Sequence, residues 1–253
     1  MRIGVIGIGV IAVSMVKALE KKYGEEAEIY LSPRNAARAE ALRAAYSNVM
    51  VTASNQEVLD KAEWVILSVL PNVAREVISS LSFRKDHRVI SVISEPKMDD
   101  LERWIGPCES ITRVLPLDFI ERHTGPVVVF PDNRDALSLL EGMGEAIAVD
   151  SEDAFKLAQA VSSAMGPFYY LVDQLVEWAA GQGMARRLAA PYLLSMFKAL
   201  SEQGELTDPE ELASLWKVMT PGGLNEGAIR TIRDGGGFDC WLRAMEGVRK
   251  RMG

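Results

Sequence analysis

Arg2-Ile3-Gly4-Val5-Ile6-Gly7-Ile8-Gly9-Val10-Ile11-Ala12 is an apolar, β-branched run that breaks into a glycine turn and then into helical periodicity. The periodicity lasts from Ile11 to Lys22, so the stretch predicts strand, tight turn and helix in direct succession. The alternation continues outward. Glu28 to Leu31 reads as a strand and Ala36 to Ala45 as a helix; Trp64 to Val69 is a strong strand stopped by Pro71. Further strands are expected at Arg88 to Ile93, Ser110 to Val114, Pro126 to Phe130 and Ala146 to Val149, with a helix from Arg134 to Met143. Near-continuous apolar strands separated by helices imply a parallel sheet buried on both faces, a doubly wound α/β domain of the Rossmann type. After Asp150 the strand-like runs stop. Helices are expected at Asp153 to Ala164, Tyr169 to Ala180, Arg186 to Gln203, Pro209 to Val218 and Phe238 to Arg251. The expected organisation is therefore an α/β domain over residues 1–150 and an all-α domain over 151–253.

Bulk composition narrows the function. Hydrophobic residues are 48% and charged residues 25% of the 253, the balance of a globular protein. A net charge of -7 argues against a nucleic-acid or anionic-membrane surface, since both need a basic footprint. Cys108 and Cys240 lie far apart without CxxC spacing, and His87 and His123 are the only histidines; no metal site is expected. With no signal-peptide pattern and no membrane-length apolar run, the expectation is a cytoplasmic enzyme or small-molecule binder.

Gly7-Ile8-Gly9-Val10-Ile11-Ala12 is a GxGxxA pattern in the first strand–helix turn. Gly7 permits the turn, Gly9 admits a phosphate close to the backbone, and Ala12 keeps helix and strand close. Val10 and Ile11 open a helix whose N-terminal N–H groups carry positive polarity, which completes a dinucleotide cradle. An NAD site usually has an acid at the end of the second strand. Here that place reads Leu31-Ser32-Pro33-Arg34-Asn35, and Ser32, Arg34 and Asn35 suit a 2′-phosphate, so NADP(H) is expected ahead of NAD(H). Val69, Leu70 and Pro71 lie at the strand end where the cofactor's ribose would pass.

Taken in order, these motifs resemble the pyrroline-5-carboxylate reductase family over most of the chain. The resemblance is carried by Gly7, Gly9 and Ala12; by Asn55-Gln56-Glu57; by Val69-Leu70-Pro71; and by Arg113, Val114 and Pro116. It continues through Ser163, Gly166, Pro167 and Tyr169 to Thr220-Pro221-Gly222-Gly223 and Gly236-Gly237-Phe238. What it implies is hydride transfer from a nicotinamide to the C=N of a cyclic imine, with Asn55 on the cofactor. It also implies a homodimer or higher oligomer through the helical domain. Substrate-positioning candidates are Ser163, Tyr169, Thr220 and Asn225.

Departures from the family pattern cluster on the substrate side. Leu224 and Asn225 stand where the family has paired threonines, and Asn225 also reads as a helix N-cap. Leu117-Asp118-Phe119 replaces Asn-Thr-Pro, Ser163-Ala164-Met165 replaces Ser-Gly-Ser, and Ile93-Ser94-Glu95 replaces the Ala-Ala-Gly that the family holds near the nicotinamide. New carboxylates would repel a substrate carboxylate, so a less acidic, larger or amine-bearing substrate is expected. Asp118 and Glu95 read either as general acids or as solvated loop carboxylates, and His123 as a surface loop residue. Two other readings remain open: a 3-hydroxyacid-type dehydrogenase, whose KxxxN pattern neither Lys156 nor Lys198 satisfies, and a nucleotide-binding protein without turnover.

Overall fold

In the computed structural model of the chain, which describes residues 1–252, the opening stretch forms strand β1 (Arg2–Ile6) and helix α1 (Val10–Tyr23). There follow β2 (Glu28–Leu31), α2 (Ala36–Ala45), β3 (Val49–Val51), α3 (Asn55–Lys61), β4 (Trp64–Leu67), α4 (Pro71–Ser79), β5 (Arg88–Ser91) and α5 (Met98–Ile105). The sheet is completed by β6 (Ser110–Pro116), β7 (Pro126–Phe130) and β8 (Glu145–Ala148), with α6 (Arg134–Leu140) between the last two. Strand order is β3-β2-β1-β4-β5-β6-β7-β8. Because β1 pairs in parallel with both β2 and β4, the order reverses there and opens a crevice at the carboxyl ends of β1 and β4.

Alternation of side chains explains the burial of both faces. Ile3, Val5, Ile29, Leu31, Ile66 and Ile90 join one core, which α1 and α2 cover with Met15, Val16, Leu19 and Leu42. Ile6, Tyr30, Val65, Leu67 and Val89 join the other, covered by Val58, Leu59, Ile78 and Leu101 from α3, α4 and α5.

Three details differ from the sequence reading. The sheet is mixed: β7 runs antiparallel to β6. The segment from Leu117 to Gly125 carries only a 3-10 turn at Asp118–Arg122, and an antiparallel return needs no crossover helix. Secondly, β3, α3 and α5 were not anticipated; β3 has only three residues, too few for a periodic signal. α3 is set by a reciprocal cap, the Ser54 hydroxyl accepting from Glu57 N–H and the Glu57 carboxylate from Ala53 N–H. Thirdly, His123 is not a plain surface residue. It is half-buried, and its Nε2 donates to the Ala18 carbonyl at 2.9 Å, tying the 3-10 turn to α1.

The chain divides into two compact units, Met1–Gln159 and the part from Ala160 on. α7 (Glu152–Ser162) spans that division, its first turns held to the sheet by Glu152 and Phe155. The second unit contains α8 (Met165–Gly181), α9 (Arg186–Glu205), α10 (Leu212–Lys217), α11 (Leu224–Asp234) and α12 (Gly237–Arg251). α8 begins four residues ahead of the expected Tyr169, with Pro167 in its first turn, where no intrahelical donor is needed. The expected helix from Pro209 divides into a 3-10 turn, Pro209–Glu211, and α10. Val172, Val176 and Ala189 form this unit's small core, with Phe168 edge-on to Phe197. Tyr170, Trp178, Tyr192, Val218 and Leu242 are exposed. Among the described residues no helix is long and apolar enough to cross a membrane.

His87, which carries no role in the sequence reading, is fully buried. Its Nδ1 accepts from Arg84 N–H at 3.0 Å and its Nε2 faces the Leu59 carbonyl at 3.0 Å, which sets the neutral Nε2–H tautomer. Arg84 donates to the Leu59 and Ala62 carbonyls, so the pair caps α3 and anchors the start of β5. Burial pulls the imidazole below its ordinary value, against the Leu59 hydrogen bond. The unfolded chain therefore takes up this proton first. Stability should fall as pH drops below about 6.5, until the folded state protonates as well. His87→Gln keeps a donor for Leu59 without titrating, and should flatten that part of the acid limb in urea denaturation.

Candidate functional site

The crevice at the ends of β1 and β4 is built around Gly7. Its φ is +90°, and a Cβ there would lie 2.6 Å from the Ser68 carbonyl oxygen, so only glycine fits. Gly9 is the N-cap of α1 in an extended conformation, and a Cβ on it would come no nearer than 4.0 Å to Ser68. The first bond of the helix runs from Val13 N–H to the Gly9 carbonyl at 3.1 Å, and no side chain caps the end. The free N–H groups at Val10, Ile11 and Ala12 form an anion-binding end. Ala12 is buried against the sheet and Val10 stands exposed at the rim. This glycine-lined cradle fits a dinucleotide pyrophosphate.

The loop after β2 is stitched to this turn. Ser32 is buried, and its hydroxyl accepts from Gly7 N–H at 3.1 Å. Asn35, in the left-handed region at φ 60°, donates from Nδ2 to the Ile8 carbonyl at 3.0 Å. Both thus shape the glycine loop as well as standing beside it. Arg34 is exposed, and Arg38, one helical turn further on, reaches the Ile8 carbonyl with Nη1 at 3.5 Å. Arg38 was missed by the sequence reading, since it lies in the first turn of α2 and nothing local distinguishes it from a solvated helix arginine. On the far side Asn55 is the first residue of α3 and half-buried. Leu70, 70% exposed, is the N-cap of α4, and Pro71 is its first residue. Pro71 is therefore a helix start that also edges the crevice.

At the next strand end, the backbone after β5 is held from behind by Arg113. This side chain on β6 is buried; its Nη1 pairs with Glu152 at 2.7 Å and its Nη2 donates to the Ser94 carbonyl at 3.1 Å. Burial lowers the guanidinium's pKa, and the Glu152 carboxylate opposes that. Glu95 and Asp118, the two loop carboxylates, are exposed.

In the helical unit the Ser163 hydroxyl donates to the Ala160 carbonyl at 2.6 Å and also lies 3.6 Å from Met245 Sδ on α12. Tyr169 is exposed on α8 with its ring edge-on to Phe168. At the Pro-Gly-Gly turn, Gly223 N–H donates to the Thr220 carbonyl at 2.9 Å. Asn225 is not the N-cap of α11. Gly223 is, because the backbone is already helical at Leu224, and Asn225 instead meets Met219 Sδ at 3.5 Å. The first turn of α11 carries its own carboxylate: Glu226 accepts from Gly222 N–H, the residue before the N-cap. Leu224 is 94% exposed.

Two known families match separate parts of the chain. Residues 2–95 match the family described as NADP oxidoreductase, coenzyme F420-dependent. Residues 138–253 match the family described as pyrroline-5-carboxylate reductase dimerisation. The chain is 24% identical over 246 residues to a pyrroline-5-carboxylate reductase of Pseudomonas aeruginosa, covering 93% of this chain and 89% of that one. It is 25% identical over 260 residues to one from Synechocystis, covering 99% and 96%. Its fold matches the Plasmodium falciparum pyrroline carboxylate reductase solved with NADP bound, with TM-score 0.84, 16% identity and coverage of 100% and 97%.

Gly7→Ala should cost roughly 1–3 kcal/mol for the forced backbone, plus the clash with Ser68. Gly9→Ala should leave thermal stability nearly unchanged. Paired melting curves check both.

Proposed function

We propose that this chain, which belongs to the pyrroline-5-carboxylate reductase family, is an NADPH-dependent reductase of the C=N bond of a cyclic imine. The observation that carries the reading is the uncapped N-terminus of α1 behind Gly7 and Gly9, flanked by Arg34 and Arg38, with no acid at the end of β2. NADPH would supply the hydride. Val10, Ile11 and Ala12 N–H groups would hold its pyrophosphate, and the two arginines its 2′-phosphate. Ser32 and Asn35 keep the glycine loop in the required shape. Asn55, Val69, Leu70 and Pro71 would border the rest of the cofactor. On this reading the unit Met1–Gln159, which runs past the expected boundary at 150, is the cofactor domain, and the unit from Ala160 on is the substrate and dimerisation domain.

An imine is already electrophilic once protonated, so the chain's task is positioning more than proton transfer. Ser163, Tyr169, Thr220 and Asn225 are the polar side chains offered for it. The exposed apolar residues of the helical unit, far in excess of its own core, favour a homodimer closed through those helices. Free Cys108 and Cys240 fit a reducing, cytoplasmic setting.

The substrate departs from pyrroline-5-carboxylate. The first turn of α11 brings its own negative charge to this turn, Glu226 bonded to Gly222 N–H, and Leu224 adds an exposed apolar side chain. A substrate lacking a carboxylate suits this turn better than an anionic one.

NADPH should bind at least tenfold more tightly than NADH. Arg34→Ala should weaken NADPH by about tenfold, the loss of one charge-assisted bond, and leave NADH unchanged, as fluorescence titration would show. In a panel of cyclic imines, ketones and hydroxyacids, carboxylate-free imines should be reduced fastest. Ordinary turnover of pyrroline-5-carboxylate would defeat the substrate reading, and binding without any turnover would defeat the enzyme reading. Light scattering should give at least twice the 27.8 kDa chain mass.

A further inference from the structure

We propose that Arg113 is a positioning residue for the nicotinamide half of the site, acting through the backbone that follows β5. The inference rests on the dinucleotide reading above. Arg113 is 1% exposed, and a charge is rarely kept so deep in a domain unless several groups satisfy it. Its two terminal nitrogens divide between distant parts of the chain: Nη1 to Glu152 on α7 and Nη2 to the Ser94 carbonyl. The guanidinium also lies over the Phe155 ring, 4.5 Å from its centre.

The same few groups pin the segment twice more. Gln159 Nε2 donates to the Ser94 carbonyl at 3.0 Å. Glu152 Oε1, which takes the Arg113 bond, also accepts from Met98 N–H at 2.9 Å. Residues 94–98 are therefore held at both ends by one carboxylate, one amide and one guanidinium. Ile93 and Pro96 are buried, while Ser94 and Glu95 remain exposed. The result is a stiff backbone that presents Ser94 and Glu95 at the carboxyl edge of the sheet.

Position decides what this stiffness serves. In a doubly wound sheet the ligand lies along the carboxyl ends of the strands, on both sides of the reversal of strand order. The half from β1 to β3 carries Arg34 and Arg38 and so takes the adenosine side. The half beginning with β4 and β5 takes the nicotinamide side, and the pinned segment follows β5 directly. Lysine could not replace Arg113, because a single ammonium on a flexible stem lacks the planar fork that bridges a carboxylate and a carbonyl.

The test compares two ligands in the full chain: NADPH, and 2′,5′-ADP, which has the adenosine and 2′-phosphate but no nicotinamide. Arg113→Lys should weaken NADPH by about tenfold, the scale of one charge-assisted bond, and reduce the nicotinamide fluorescence enhancement on binding. Affinity for 2′,5′-ADP should stay within about twofold. Gln159→Leu removes one of the two bonds to Ser94 and leaves the Arg113–Glu152 pair in place. It should show the same selectivity at a smaller size, and decides the matter if Arg113→Lys does not fold. Parallel loss of both ligands, or no change in either at an unchanged melting temperature, would overturn the proposal. A wild-type chain that binds neither ligand would overturn the dinucleotide reading, and this inference with it.

Discussion

The approach of Gly7 to the Ser68 carbonyl is the constraint on which the crevice depends. β1 lies between β2 and β4, and its chain must leave the sheet at once to start α1. A side chain at Gly7 would push the turn off the end of β4. With that turn in place, Gly7 N–H reaches the Ser32 hydroxyl and the Ile8 carbonyl meets Asn35. One steric condition thus sets the α1 terminus, the loop after β2 and the spacing between them. A ligand phosphate needs all three at once.

The helical unit follows different physics. Its internal core is little more than the contact of α8 with α9, while large aromatic and aliphatic side chains remain in solvent. Such a surface is costly in an isolated chain and ordinary in an obligate assembly. The first turn of α11 carries an acidic residue of its own, Glu226, bonded to Gly222 N–H just ahead of the N-cap, where a negative charge favours the helix dipole.

Legibility in the sequence was uneven, for identifiable reasons. The GxGxxA turn, the long apolar strands and the longer helices follow from periodicity and glycine placement, which are local. Val49–Val51 was invisible because three residues cannot show a period. β7 gave a correct strand signal but no direction, since a strand inside the sheet and buried on both faces reads as a continuous apolar run whichever way it pairs. Asn225 was misread as a cap because asparagine suits that role, yet the backbone turned helical one residue earlier, at Leu224.

Buried polar groups show the division most clearly. His87 and Arg113 look in the sequence like a charged turn and a motif letter; in the fold each joins segments far apart in the chain. By itself the sequence determined the fold class, the dinucleotide turn and the family pattern, because each rests on contacts between near neighbours. Only the tertiary structure decided which side chains hold the strand-end loops, that Ser32 and Asn35 serve the glycine loop, and that Glu226 bonds back to Gly222. Those outcomes depend on which distant backbone groups arrive within hydrogen-bond reach, and no local pattern encodes that.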